Sequence, residues 1–180
     1  MADDSEVGTG ATLTDVLPAS DVAADDAVAG RAAGGVLLRL GSSRYAVAMA
    51  DVAEVAAVPG VTRVPGSPPW LSGVANWRGR MLPLLDLRPL LSTTTVPLAS
   101  SARLVVLARD EVVVGLVVEA VPGVYDGDLG YLAPAPPTMG PDAGLLVLGQ
   151  LADRNGPVAV LDAGAVLALR DRVDRRRHGG

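Results

Sequence analysis

The sequence predicts a mainly β protein built as two similar small β-barrel lobes with short helices. Three observations lead there. Short Val- and Leu-rich runs alternate with tight polar or Gly-containing turns, and branched side chains suit a pleated surface. Hydrophobic residues make up 49% of the chain, enough to bury a sizeable core. Finally, a hairpin pattern occurs twice. A gapless shift of 76 positions pairs Gly73 with Gly149, Arg78 with Arg154, Leu85-Asp86 with Leu161-Asp162 and Leu91 with Leu167, as an internal repeat does. Earlier positions echo as well, Leu40 with Leu107 and Val52 with Val118. Short strands joined by tight turns favour small closed barrels, because closure removes unpaired edges.

Residues 1–34 carry seven acidic residues before a single Arg, among many Ala and Gly. This composition reads as a disordered acidic tail. Ordered structure is expected from Val36, with strand Val36–Leu40, turn Gly41-Ser42-Ser43 and strand Tyr45–Met49. In Ala50–Val58, the spacing of Val52, Val55 and Ala56 predicts a short helix with Glu54 turned away from its apolar face. Pro59-Gly60 ends it, and Val61–Val64 is a further strand candidate. The polar run 92–101 connects the halves, with the break placed near 92–102 and the lobes interleaved. Arg103–Ala108 and Val112–Val118 form a second hairpin, apolar enough to be buried on both faces. Val121–Tyr125 continues it. Residues 126–142 hold four Pro in a Gly-rich setting and predict a long irregular loop, a secondary site candidate. Leu145–Leu151 and Pro157–Leu161 make the third hairpin, and Ala163–Leu169 a short terminal helix. The folded region thus spans 35–169, and 170–180 is an Arg-rich exposed end.

Net charge is −5, and all fifteen basic residues are Arg. The interior lacks the basic stripe of nucleic-acid binders, so no nucleic-acid partner is expected. With no Cys and with His178 as the single histidine, thiolate metal sites, disulfides and a Ser-His-Asp triad in the core are excluded. No cofactor is expected. No apolar run approaches the roughly 20 residues that span a bilayer, so direct membrane insertion is not expected. The Met-Ala-Asp-Asp start lacks the features of a signal peptide, and a cytoplasmic location is the expectation.

Pro65–Leu91 organises the chain. A proline-rich entry leads to a strand, the turn Asn76-Trp77-Arg78-Gly79-Arg80, the apolar run Met81–Leu85, and Asp86 opening a short Leu-rich helical segment. Gly79 supplies the backbone freedom that a tight turn needs. An Asn, an indole and two arginines in one turn mark a binding surface, since turn side chains face outward. Arg78 reads either as a forked donor to a partner carboxylate or as a brace on its own lobe's carbonyls. Glu54 reads as the internal partner of an Arg or as an interface residue. Trp70 and Trp77 are read as packing apolar surface, although Trp is enriched among interface hot spots. Val52, Val55 and Leu84-Leu85 are most simply core, and Val52 is also carried as a candidate beside Glu54.

The chain resembles the CheW-like family of bacterial chemotaxis coupling proteins. The resemblance stands at Gly73-Val74-Ala75-Asn76-Trp77-Arg78-Gly79 and Pro83-Leu84-Leu85-Asp86-Leu87. Upstream it continues in Tyr45-Ala46-Val47, Val52-Ala53-Glu54-Val55, Pro65 and Pro68 to Gly73, and it covers about Val36 to Leu169. It implies two SH3-like five-stranded barrels and a non-enzymatic scaffold. The implied partners are a chemoreceptor's cytoplasmic tip and the regulatory domain of a histidine kinase. A site at Asn76, Trp77, Arg78, Gly79, Glu54 and Val52 is implied too, with a receptor helix in an apolar groove between the lobes near the turn. Trp77 stands where the family usually has Leu. A paralogue serving another two-component output is the alternative. A bilobal aspartic-type hydrolase is the enzyme reading, with Asp86 and Asp162 as a proton-sharing dyad. Asp86 is followed by Leu-Arg rather than by a small hydroxyl residue and Gly, so both aspartates read better as helix N-caps.

Overall fold

The computed structural model describes residues 34–93, 97–135 and 141–172. Ten strands run through them: β1 Gly35–Leu40, β2 Ser43–Ala48, β3 Val52–Ala57, β4 Leu71–Trp77, β5 Arg80–Leu85, β6 Arg103–Arg109, β7 Val112–Val118, β8 Ala120–Tyr125, β9 Val147–Asp153 and β10 Gly156–Leu161. Short helices accompany them, among them α1 Pro141–Leu146 and α2 Ala163–Leu167, and residues 169–172 are helical as well. The acidic segment 1–33, the middle of the Pro-rich loop at 136–140 and the Arg-rich end at 173–180 lie outside the described residues.

The strands form two five-stranded sheets of the same plan, in the orders β8-β1-β2-β10-β9 and β3-β6-β7-β5-β4. Each contains one parallel pair, β10 with β2 and β5 with β7. The lobes are interleaved. The chain passes from the first sheet to the second through a 3₁₀ turn at Met49–Asp51, and returns at Glu119 between β7 and β8. The 92–102 connection, read as the join between halves, links β5 to β6 within one sheet.

Both sheets curl. The segment after each outer strand reaches the opposite edge, where Thr62 exchanges two backbone hydrogen bonds with Val74 at 2.8 and 2.9 Å. Ala133 does the same with Gln150 at 2.8 Å in both directions. These bridges cover strand edges that would otherwise present free N–H and C=O groups.

The repeat is carried into burial. Strands β4 and β9 share one pattern, buried and half-buried residues alternating over the first five positions and an exposed residue at the sixth, and β5 and β10 both end in four buried residues. Three apolar clusters explain why some strands are apolar throughout. One lies inside the first lobe around Leu37, Ala46, Val158 and Val160. Another fills the second around Leu82, Leu84, Leu104 and Val106. The third, with Val36, Leu38, Tyr45, Val105, Leu107 and Leu116, is shared between the lobes and capped by α1 and α2. A strand between a lobe's own core and the shared one sends alternate residues to each, so both of its faces are apolar. That is the position of β1, β6 and β7.

Four expectations are corrected. The segment Ala50–Val58 is not a helix but a 3₁₀ turn followed by β3, paired antiparallel with β6 from Val52 opposite Leu107 to Ala57 opposite Arg103. Pairing with β6 outweighs the weak helical spacing, and the period is two: Val52, Glu54 and Ala56 are half-buried on one side. Glu54 therefore shares the inner face, while Val55, read as core, is 44% exposed. The Val61–Val64 strand reduces to the single Thr62 bridge. The helical segment after Asp86 is a turn, in which Leu90 and Leu91 both donate their N–H to the Leu87 carbonyl; Pro89 brings no donor of its own. Leu145-Leu146 ends α1 rather than starting β9.

Tyr45 provides a test of the shared core. Its side chain is 1% exposed, and burial holds the phenol above the ordinary value of 10.0, against a smaller opposing effect of the Ser43 hydrogen bond. Below pH 10.0 folded and unfolded chains both keep this proton, and the contribution of the neutral phenol is complete. As the pH rises toward the raised folded value, the unfolded chain alone releases it and stability falls. Lys and Cys are absent, so neither type of side chain adds its own titration to the alkaline range. Tyr45→Phe is expected to flatten the alkaline decline of the urea midpoint. An unchanged alkaline slope in the variant would contradict the assignment.

Candidate functional site

The β4–β5 hairpin closes through Arg78 and Gly79, both at positive φ, 52° and 78°. Two consecutive left-handed residues match the right-handed twist of the flanking strands. Asn76 accepts the Gly79 N–H on its Oδ1 at 2.9 Å, which holds the tip closed. Asn76, Arg78 and Gly79 are exposed, and Trp77 is half-buried against the second lobe's core.

Strand β3, at the opposite edge of the same sheet from β4, contributes Glu54. Its Oε2 accepts the Trp77 indole N–H at 2.9 Å and an Arg78 Nη2 N–H at 2.9 Å. The Arg78 guanidinium also lies 5.0 Å from the Trp77 ring centre, within cation–π range. Residues far apart in sequence are thus brought together as one cluster of carboxylate, indole and guanidinium. The sequence offered Glu54 as an internal Arg partner, and Arg78 takes that place. The alternative bracing of Arg78 on its own lobe's carbonyls is not what the geometry shows. Val52 lies on the same side of β3 but packs on the core shared between the lobes. Trp70 packs against that core too.

Beside the tip lies an open groove of about 480 Å³, lined by Gly60, Thr62, Val74, Ala75, Asn76, Gly79, Arg80 and Met81. All belong to the second lobe, so the concavity next to the turn lies within one lobe rather than between two. Met81, 67% exposed, and Val74 and Ala75 beside it give the groove an apolar character.

The equivalent tip of the first lobe is built differently. There Asp153 of β9, in the place of Trp77, pairs with Arg44 of β2, and this hydrogen bond holds the Asp153 carboxyl below the usual carboxylate range. Each lobe thus ties its hairpin tip to a strand outside the hairpin through an ion pair, with the charges in different places.

Asp86 and Asp162 have internal duties. Each follows the last residue of its strand, and their N–H groups donate to the equivalent carbonyls of Trp70 and Leu146 at 2.8 Å. Asp162 Oδ1 caps α2, accepting from the Gly164 and Ala165 N–H groups at 2.9 and 3.3 Å. Asp86 Oδ1 accepts the equivalent N–H, that of Arg88, at 3.0 Å. The Arg88 guanidinium then grips both Asp86 oxygens at 2.9 and 2.7 Å and reaches Glu119 Oε1 at 2.9 Å. Sequence reasoning missed Arg88. The available signal was an Arg two residues after an Asp in an otherwise apolar run.

A family model described as CheW-like domain matches residues 34–171. The chain belongs to the CheW-like family. Among curated relatives, Protein PilI of Pseudomonas aeruginosa is 39% identical over 90 residues, 50% of this chain and 51% of PilI. Chemotaxis protein CheW of Bacillus subtilis is 26% identical over 132 residues, 73% of this chain and 85% of that protein. Chemotaxis protein CheW of Klebsiella aerogenes is 31% identical over 101 residues, 56% of this chain and 61% of that one. The chain therefore spans about half the length of PilI. The crystal structure of scaffolding protein TtCheW from Thermoanaerobacter tengcongensis matches with a TM-score of 0.65 at 23% identity, over 73% of this chain and 89% of that one, a likeness of fold. The mainly β architecture of two five-stranded sheets agrees with the CheW-like expectation. No helix among the described residues is long and apolar enough to cross a membrane.

Proposed function

We propose that the protein is a non-enzymatic adaptor that couples the cytoplasmic tip of a chemoreceptor to the regulatory domain of a chemotaxis-type histidine kinase. The observation that carries this reading is the Asn76-Trp77-Arg78-Gly79 tip, exposed at Asn76, Arg78 and Gly79, tied to Glu54 and standing beside a partly apolar groove, within the span matched by the family model. Relatives named Chemotaxis protein CheW support a signalling role. The engagement of Asp86 by Arg88, and of Asp162 by a helix N-terminus, gives each carboxylate a separate structural partner. That weighs against a proton-sharing dyad, which needs the two to face each other. In this reading the mechanism is geometric. One surface holds the kinase domain and another the receptor, so that receptor state biases kinase state in an array at the cytoplasmic face of the membrane.

The test is a binding measurement with purified protein against a kinase regulatory domain and a receptor cytoplasmic fragment from the same source. The wild type is expected to bind both. Arg78 is exposed, and its pair with Glu54 contributes little to folding, so Arg78→Ala is expected to keep its circular dichroism spectrum and melting temperature. Its affinity for the fragment that contacts the tip is expected to fall about tenfold or more, the scale of an interface hot spot. A wild type that binds neither fragment would overturn the reading. An unfolded Arg78→Ala would make that residue structural instead.

A further inference from the structure

We propose that Trp77 is the positioning residue of the hairpin surface, holding Glu54 and Arg78 in one fixed arrangement for a partner. The proposal rests on the adaptor reading and concerns the same site. On its own, the Glu54–Arg78 pair is a surface ion pair, with side-chain exposures of 31% and 69%. Pairs of that kind gain little and leave two long side chains free to move. Trp77 changes this in two ways. Its ring is anchored on the second lobe's core, and its indole N–H donates to the same Glu54 oxygen that Arg78 uses. Its ring face also lies under the guanidinium. The carboxylate is thereby fixed from the core side, and the guanidinium is fixed by the carboxylate and by the ring.

A site that is already ordered loses less side-chain entropy when a partner binds. Leucine at this position would preserve the apolar contact but provide neither the N–H nor the aromatic face. Phenylalanine would keep the face and remove the N–H. The two substitutions therefore separate packing from positioning.

The chain contains two tryptophans, Trp70 and Trp77, so its nitrogen-15 spectrum has two indole N–H signals, and Trp77→Phe assigns both. In the free protein, Glu54→Ala is expected to shift the Trp77 indole signal and speed its exchange with solvent, leaving that of Trp70 in place. In binding to the kinase regulatory domain and the receptor fragment, Trp77→Phe is expected to raise Kd for the tip-binding partner between about two- and tenfold, the range of one hydrogen bond. Trp77→Leu is expected to raise it at least as much. In a Glu54→Ala background, Trp77→Phe is expected to change Kd by less than about twofold, because the group it positions has gone.

An indole signal indifferent to Glu54→Ala would overturn the clamp in the free protein. Full affinity of Trp77→Phe, or the same loss in both backgrounds, would overturn the positioning role, the second result making Trp77 a direct contact. Absence of binding by the wild type would defeat the adaptor reading and with it the positioning role, while the indole measurement would still report on the clamp.

Discussion

Arg88→Ala is expected to destabilise the fold by about 3–5 kcal/mol, the cost of breaking a buried ion pair from one side. Side-chain exposures are 3% for Arg88, 10% for Asp86 and 14% for Glu119. The hydrogen bond to Asp86 is the main influence raising the Arg88 pKa above its ordinary value, and burial opposes it. Removing the guanidinium leaves two carboxylates in a low-dielectric setting without their counter-charge. Their location makes the loss global. Asp86 follows the last strand residue of β5, in the second sheet, whereas Glu119 sits where the chain returns to the first, and its N–H donates to the Arg39 carbonyl of β1 at 3.1 Å. The triad thus ties the two lobes at their crossing. Urea denaturation measures the cost, and the triple change Asp86→Ala, Arg88→Ala and Glu119→Ala is expected to cost less than Arg88→Ala alone, since no buried carboxylate is stranded. A loss under about 1 kcal/mol for the single variant, the level of an exposed pair, would contradict this account.

Gly73→Ala is expected to cost about 2–4 kcal/mol, because strain and overlap add at one position. Gly73 has φ 146°, and a Cβ there would lie 2.4 Å from the Thr62 carbonyl oxygen and 2.8 Å from Val61 Cγ1. Thr62 cannot withdraw cheaply, since it is bonded to Val74 in both directions. Gly79→Ala offers the control. Its φ is 78° but nothing lies within 4 Å of the added carbon, so its cost is the backbone penalty alone, about 1–2 kcal/mol. Faster hydrogen exchange at the Thr62 and Val74 amides in Gly73→Ala, with a lower urea midpoint, is the expected signature. Equal costs for the two glycines would refute the close-approach argument.

The same glycine shows how far the sequence could be read. Gly73 and Gly149 were visible as a repeated pair, and in the structure both face an approaching backbone, Thr62 O in one lobe and Ala133 O in the other. Repetition was legible; the reason for it was not, because nothing local shows that Thr62, in a short strand candidate, and Ala133, in an irregular loop, return to these glycines. Glu54 was legible as a candidate partner of an Arg. Its attachment to Trp77 and Arg78 depends on β3 being a strand, and the local spacing of Val52, Val55 and Ala56 pointed to a helix.

What the sequence by itself determined is the strand-rich class, the hairpins, the two-fold repeat and the tip that carries Asn76, Trp77, Arg78 and Gly79. Each of these is written in neighbouring residues, through side-chain period, turn chemistry and spacing. Only the tertiary structure decided that β3 is a strand, that the chain crosses between sheets at Met49–Asp51 and at Glu119, and that Arg88 turns inward to join the lobes. These outcomes depend on partners distant in the chain, β6 for β3 and Glu119 for Arg88. A local pattern carries no record of the surface that a residue meets when the lobes close on their shared core.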